Sequence, residues 1–165
     1  ARAEQVAPAD SNWWRAGWAG QQAQGDTSLM AANALRKRLP DSLLGAAGQA
    51  IHSQQFYGRE LAYREVRRQY WREGPVYLLS LADCGRDSAQ MRHLFARYCA
   101  GDSAALPVRY PENFAWIASD PRTGKLSLEA GLGFRLHLHV EGAGFLTPEQ
   151  LAQIWEIWET AKPLP

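Results

Sequence analysis

The sequence predicts an α+β fold: a two-layer sandwich with amphipathic helices packed on a mainly antiparallel sheet of about five strands. Three observations predict it. A strand–turn–strand pattern covers residues 61–82, three alternating strands follow one another over 113–141, and apolar stripes with helical spacing cover 28–39, 87–99 and 148–160. The 165 residues and the 46% of hydrophobic residues match one domain with a single core.

The N-terminal end carries no apolar periodicity. Residues 1–12 therefore predict a flexible tail, followed by a single α+β domain over 13–165. The chain begins with Ala1 instead of Met, which is typical of a chain whose signal peptide has been removed, although a cloned boundary would look the same. We therefore expect an exported, periplasmic bacterial protein.

Two helices are predicted before the first strand. The helix over 28–39 has Asp26 or Thr27 as its cap and is stopped by Pro40. Residues 41–53 also have the apolar spacing of a helix, although two glycines inside this segment oppose it.

The hairpin at 61–82 depends on how one segment is interpreted. Within residues 59–71, the spacing of Ala62, Val66 and Tyr70 fits one face of a helix and also one face of a strand. The turn residues from Arg72 to Pro75 and the apolar strand that follows them favour the hairpin.

The two long helices have clear start signals. Asp87 can cap the helix over 87–99, and Thr147 and Gln150 form a capping box for the helix over 148–160. Each helix carries a single apolar stripe, formed by Met91, Leu94, Phe95 and Tyr98 in the first and by Leu151, Ile154, Trp155 and Trp158 in the second.

The last strand of the meander carries the candidate metal ligands. His137, His139 and Glu141 alternate with apolar residues, so their side chains share one face of the strand. Two imidazoles and a carboxylate are a plausible partial ligand set for Zn²⁺ or Cu²⁺. Arg135 begins the same row and opposes a cation there, and a solvated polar face is the alternative interpretation.

The two cysteines leave two alternatives open. Cys84 and Cys99 are compatible with one disulfide in an oxidising compartment. The predicted helix between them, at ~1.5 Å per residue, would keep them apart if it is fully formed. Cys84 before that helix could also be a reactive thiol.

Charge and hydropathy limit the partners. The net charge of +1 argues against a dedicated nucleic-acid binder, and no apolar stretch reaches the ~20 residues that a membrane-spanning helix needs. Nucleophile motifs are also missing from the sequence. We therefore expect a protein that is not an enzyme.

The surplus of aromatic and arginine residues favours protein binding, because Arg, Trp and Tyr dominate interface hot spots. The predicted contact residues are Trp13, Trp14, Trp18, Arg64, Arg67, Arg68, Tyr70 and Trp71. Packing of the tryptophan segment on the core and solvation of the hairpin are the alternatives. The sequence thus predicts binding to another envelope protein, as an accessory subunit, inhibitor or immunity factor. A metal-binding protein or metal-dependent enzyme using His137, His139 and Glu141 is the second hypothesis.

Overall fold

The computed structural model describes residues 30–57, 62–84, 88–100, 104–133 and 135–160. These ranges contain three helices and nine strands. The helices are α1 (Ala32–Arg36), α2 (Ser88–Cys99) and α3 (Pro148–Thr160). The strands are β1 (Ser42–Leu43), β2 (Ala46–Gly48), β3 (His52–Tyr57), β4 (Ala62–Trp71), β5 (Pro75–Asp83), β6 (Ala104–Ala105), β7 (Phe114–Ser119), β8 (Leu126–Leu132) and β9 (Leu136–Gly142).

All nine strands belong to one antiparallel sheet. Eight of them follow the order β1-β2-β4-β5-β9-β8-β7-β6, and β3 pairs with β4 beside β2. The predicted hairpin is β4–β5 and the predicted meander is β7–β8–β9, and the pairing of β5 with β9 joins them. The α+β class is confirmed, whereas the count of about five strands is too low. The missed strands are mostly two or three residues long, too short to show alternation.

The second predicted helix, over 41–53, is wrong. This segment forms β1, β2 and the start of β3, and it reverses direction at Leu44 and Gly45, whose φ angles are 48° and 81°. A left-handed pair of residues cannot continue a right-handed helix. The helix before it is shorter than predicted, because only Ala32–Arg36 of the range 28–39 is helical within the described residues.

One face of the sheet, called here the apolar face, forms most of the core. Val66, Leu81, Leu138 and Ala130 stand in direct register on it across β4, β5, β9 and β8, and all four are buried. Leu146 lies over Gly142 on this face, and α3 then packs against β8. The hydroxyl of Tyr70 on β4 donates to the carbonyl oxygen of Pro40 at 2.7 Å. This hydrogen bond joins the segment that follows α1 to the sheet.

The opposite face, called here the polar face, is also covered in part by a helix. The rings of Phe95 on α2 and Phe114 on β7 are 5.2 Å apart, and the Phe114 ring lies over Gly131. Gly131 shares its side of β8 with Glu129, so α2 and α3 lie on opposite faces of the sheet. The two-layer prediction is therefore wrong. An apolar stripe indicates that a helix packs, but not on which face.

The two long helices are confirmed over Ser88–Cys99 and Pro148–Thr160, with their apolar stripes buried, whereas the predicted cap Asp87 lies outside the described residues. The capping box of α3 is formed: the amide of Gln150 donates to Oγ1 of Thr147 at 3.1 Å, and the amide of Thr147 donates to Oε1 of Gln150 at 2.9 Å. Within the described ranges, every helix is too short or too polar to cross a membrane.

Candidate functional site

A row of side chains crosses the polar face from one strand to the next. Because each pair of neighbours is in direct register, these residues stack side by side at ~4.8 Å spacing. The row runs His52, Arg67, Ser80, His139, Glu129, Trp116 over β3, β4, β5, β9, β8 and β7. Helix α2 covers its Trp116 end, where the guanidinium of Arg97 stands 5.6 Å above the indole ring.

Glu129 is the centre of this row. It is buried, and its carboxylate faces two imidazoles of β9. Nε2 of His137 is 2.5 Å from Oε2, and Nδ1 of His139 is hydrogen-bonded to Oε1. The second ring nitrogen of His139, Nε2, lies 3.3 Å from Oε2 of Glu141. These four residues, Glu129, His137, His139 and Glu141, are called here the Glu129 cluster.

The cluster shifts the pKa values of two of its members. Burial alone would raise the pKa of Glu129, but the hydrogen bonds and positive charge of the two histidines outweigh burial and lower it to about 2. Burial alone would lower the pKa of His139, but the hydrogen bonds and charges of Glu129 and Glu141 outweigh burial and raise it. The Glu129–His139 pair therefore favours its ionised form, carboxylate beside imidazolium.

Sequence reasoning found the two histidines and missed their main partner. The alternation of β8 places Glu129 on the polar side, and the hairpin between β8 and β9 sets the register that brings it opposite His139. The register of this hairpin is the information from which Glu129 could have been identified as the partner of His139. The alternation of the sequence places Arg135 at the head of the histidine row. It instead binds Asp83, its Nε and Nη2 donating to the two carboxylate oxygens at 3.0 Å each.

The metal hypothesis gains no support from this geometry. Within the described residues, no three His, Cys, Asp or Glu side chains are grouped so that they could hold a metal ion. The two imidazole nitrogens that face Glu129 are hydrogen-bonded to its carboxylate, so in this structure they are engaged with Glu129. Zinc or copper binding by His137, His139 and Glu141 stays a prediction.

The predicted contact residues of β4 are divided between the two faces. Arg64 donates to the carbonyl oxygen of Met30 at 2.6 Å, Arg68 donates to that of Gln49 at 2.8 Å, and Tyr70 is fully buried. These three side chains stabilise the fold. Arg67 and Trp71 are instead exposed, with 51% of the Arg67 side chain and 44% of Trp71 accessible. Trp13, Trp14 and Trp18 lie outside the described residues.

A groove of about 360 Å³ lies on the polar face at the end of the row that His52 and Arg67 form. Its lining residues are His52, Ser53, Gln54, Arg67, Gln69 and Leu78. The indole of Trp71 stands next to it and donates from Nε1 to Oε1 of Gln69 at 3.2 Å. Arg67 brings a positive charge to this lining, and its Nε is paired with the Glu65 carboxylate on the same strand. The groove offers a cation, an imidazole, two amide groups and one apolar side chain.

The cysteines are not joined by a disulfide. Cys84 is buried at the end of β5, and its thiol donates to Oε1 of Gln90 at 3.0 Å. Cys99 is the last residue of α2, so almost the whole helix separates the two. The disulfide alternative is therefore wrong, since twelve helical residues span roughly 18 Å and a bridge needs Cα atoms within about 7 Å.

Comparison of the chain with protein-family models, with curated proteins and with solved structures gives no match in any of the three.

Proposed function

We propose that this chain is a non-enzymatic, exported envelope protein that acts by binding another protein, as an accessory subunit, inhibitor or immunity-type factor. Its contact surface is the groove on the polar face together with Arg67 and Trp71. The partner contributes an extended segment that carries carboxylates.

One observation carries the proposal: an exposed guanidinium and an exposed indole flank the same groove. Arg67 lines the groove, and the indole of Trp71 is hydrogen-bonded to Gln69, another lining residue. Large aromatic and arginine side chains that become desolvated at the centre of an interface supply most of its binding free energy. An exposed tryptophan beside a groove has no role in the core, whereas the buried Tyr70 next to it does.

The chemistry of the lining supports a carboxylate-bearing segment. Arg67 brings a positive charge to the lining, and, with its Nε paired to Glu65, its two terminal Nη groups can bind a carboxylate of the partner in a two-point contact. His52, Gln54 and Gln69 add side chains that can donate hydrogen bonds. Leu78 provides an apolar contact for a side chain between two acidic residues of the segment.

The test begins with the tagged chain and a bacterial envelope extract. We expect one stoichiometric partner, identified by mass spectrometry. Its affinity is then measured by calorimetry against wild type, Arg67→Ala and Trp71→Ala. Each variant should weaken binding at least tenfold, the loss expected for a hot-spot residue at roughly 1.4 kcal/mol.

Two variants elsewhere on the surface serve as matched controls. Arg122→Ala removes an exposed arginine of the β7–β8 turn, and Phe145→Ala removes an aromatic side chain that is 71% exposed. Both should bind within about twofold of wild type, since exposed residues outside an interface contribute little. Equal weakening by all four variants, or no partner from an extract in which the protein is folded, contradicts the proposal.

A further inference from the structure

Strand β3 forms the longest edge of the sheet among the described strands. Within the described residues it pairs with β4 and with no other strand. It has six residues, whereas the edge strands β1 and β6 have two each. Its sequence, His-Ser-Gln-Gln-Phe-Tyr, contains no Lys, Arg, Asp, Glu, Pro or Gly. Natural sheets protect their edges with charges, prolines, bulges or very short strands, and an edge without these features is a template for pairing with another chain.

The main-chain groups of Ser53 point toward this outer edge. The amide of Gln49 donates to the carbonyl oxygen of Gln69 at 2.8 Å, so the main-chain groups of Gln69 point from β4 toward β2 and β3. Because this direction alternates along a strand, Arg67 points the same way and forms the hydrogen-bonded pair with His52. Ser53, one residue further along β3, therefore turns its N–H and C=O away from β4.

Arginine side chains flank β3 on both faces of the sheet. On the side of the apolar face, Arg36 donates to Oγ of Ser53 at 3.0 Å. Arg64 donates on the same side to Oε1 of Gln55 at 2.9 Å. On the polar face, the exposed Arg67 lies on the neighbouring strand β4. The side chains of a strand added to β3 would alternate between these two faces, so carboxylates on either face would be attracted by an arginine.

We propose that the acidic segment of the partner binds as an added β-strand along the outer edge of β3. This inference rests on the function proposed above and adds how the segment binds. Main-chain hydrogen bonds to Ser53 supply affinity for an extended chain, and the flanking arginines select a chain that carries carboxylates. The edge adjoins the groove, because His52, Ser53 and Gln54 of β3 also line the groove. One extended segment can therefore pair with β3 and place a further carboxylate at Arg67.

The test compares two substitutions at Ser53. Ser53→Pro removes the outward N–H and leaves the β3–β4 hydrogen bonds in place, because that N–H points away from β4. Ser53→Ala removes only the hydroxyl and keeps the N–H, so it is the matched control. The probe is the synthetic peptide Glu-Glu-Leu-Glu-Glu-Leu-Glu-Glu, and its affinity for the full chain is measured by calorimetry. Ser53→Pro should weaken binding at least tenfold relative to Ser53→Ala, because a carbonyl group of the peptide loses its donor.

Two further readouts follow the amide of Ser53 and the charge of Arg36. When the full chain is saturated with the peptide, hydrogen exchange of the Ser53 amide, followed by NMR, should slow at least tenfold. Exchange of the His52 amide, which already faces β4, should change much less. Arg36→Gln should weaken binding roughly two- to tenfold at low salt and less at high salt, since Arg36 contributes by its charge.

The outcomes separate the added strand from the groove. Equal binding by Ser53→Pro and Ser53→Ala overturns the added strand, and so does a wild-type chain that does not bind the peptide. The groove is judged separately, by the affinity of Arg67→Ala for the partner from the envelope extract. If Ser53→Pro does not fold, the Ser53 amide of wild type decides, because unchanged exchange at saturation contradicts main-chain pairing.

Discussion

Glu129 on β8 and His139 on β9 are direct cross-strand partners, and the Glu129 carboxylate is shared between His139 and His137. An antiparallel register places side chains of opposed residues about 5 Å apart on one face. The register of the β8–β9 hairpin therefore brings a carboxylate and an imidazole into contact. Because Glu129 is buried, its carboxylate depends on these two rings for most of its polar contacts.

Stability should depend on pH through this pair. The pKa of Glu129 falls from 4.5 to about 2 on folding, so its contribution is present above pH 4.5 and is lost as the pH falls toward 2. The pKa of His139 rises above 6.5, so its contribution is present below pH 6.5 and is lost as the pH rises through the raised value. The pair therefore stabilises the fold most between pH 4.5 and 6.5.

The measurement is urea unfolding across the pH range for wild type and Glu129→Gln. At about pH 6 the variant should lose about 1–3 kcal/mol of unfolding free energy, because the imidazolium loses a charged acceptor. Its pH profile should also be flatter. A Glu129→Gln profile that parallels wild type would contradict the ionised pair, and Glu149→Gln supplies the reference for an exposed carboxylate.

A methyl group at Gly131 should destabilise the contact between α2 and the sheet. A Cβ there would lie 2.3 Å from the Phe114 ring, which is packed between Phe95 and Tyr98 and cannot move aside cheaply. Gly131→Ala should cost about 1–3 kcal/mol, the usual effect of overpacking. Gly144→Ala is the matched control, because a Cβ there meets nothing within 4 Å, and its unfolding free energy should stay within about 1 kcal/mol of wild type. Similar values for the two variants would contradict the packing described here.

Thiol chemistry should reflect the two cysteine environments. Without any reductant, denatured protein should add two alkyl groups in intact-mass analysis, because Cys84 and Cys99 are not bridged. In the folded protein, Cys99 should react first, since Cys84 is buried and its thiol is bonded to Gln90. A denatured mass with no added groups would show a bridge and contradict this structure.

The strands and helices that the sequence predicted correctly are those whose own residues define them. The stripe of α3, its capping box and the alternation of β9 each span fourteen residues or fewer, so local pattern suffices. The prediction of a helix for the segment with β1 and β2 was wrong for the opposite reason. Its apolar spacing fits a helix, and only the left-handed conformation at Leu44 and Gly45, together with pairing to the distant β4, makes it a hairpin.

The candidate site shows the same limit. His137 and His139 share a strand, so their common face follows from spacing alone. Glu129 is found only when the register of the β8–β9 hairpin is known, and Arg67 joins the same row only through the pairings of β4 with β5 and of β5 with β9. The alternation of β4 was visible in the sequence, but which side is buried depends on Pro40 and Met30, more than twenty residues away.

The stacked pair Trp155 and Trp158 on α3 offers a comparison of two indole N–H groups in one helix. Their rings are 6.4 Å apart and nearly parallel, at 6°. Nε1 of Trp155 donates to the carbonyl oxygen of Pro107 at 3.0 Å, whereas the buried Nε1 of Trp158 has no hydrogen-bond partner among the described residues. Both substitutions to Phe remove similar apolar volume, but only Trp155→Phe leaves an acceptor unpaired, while Trp158→Phe removes an unsatisfied donor. Urea unfolding should therefore show Trp155→Phe to be less stable than Trp158→Phe by about 1–3 kcal/mol. The reverse order would mean that the Trp158 N–H has a partner in the folded protein.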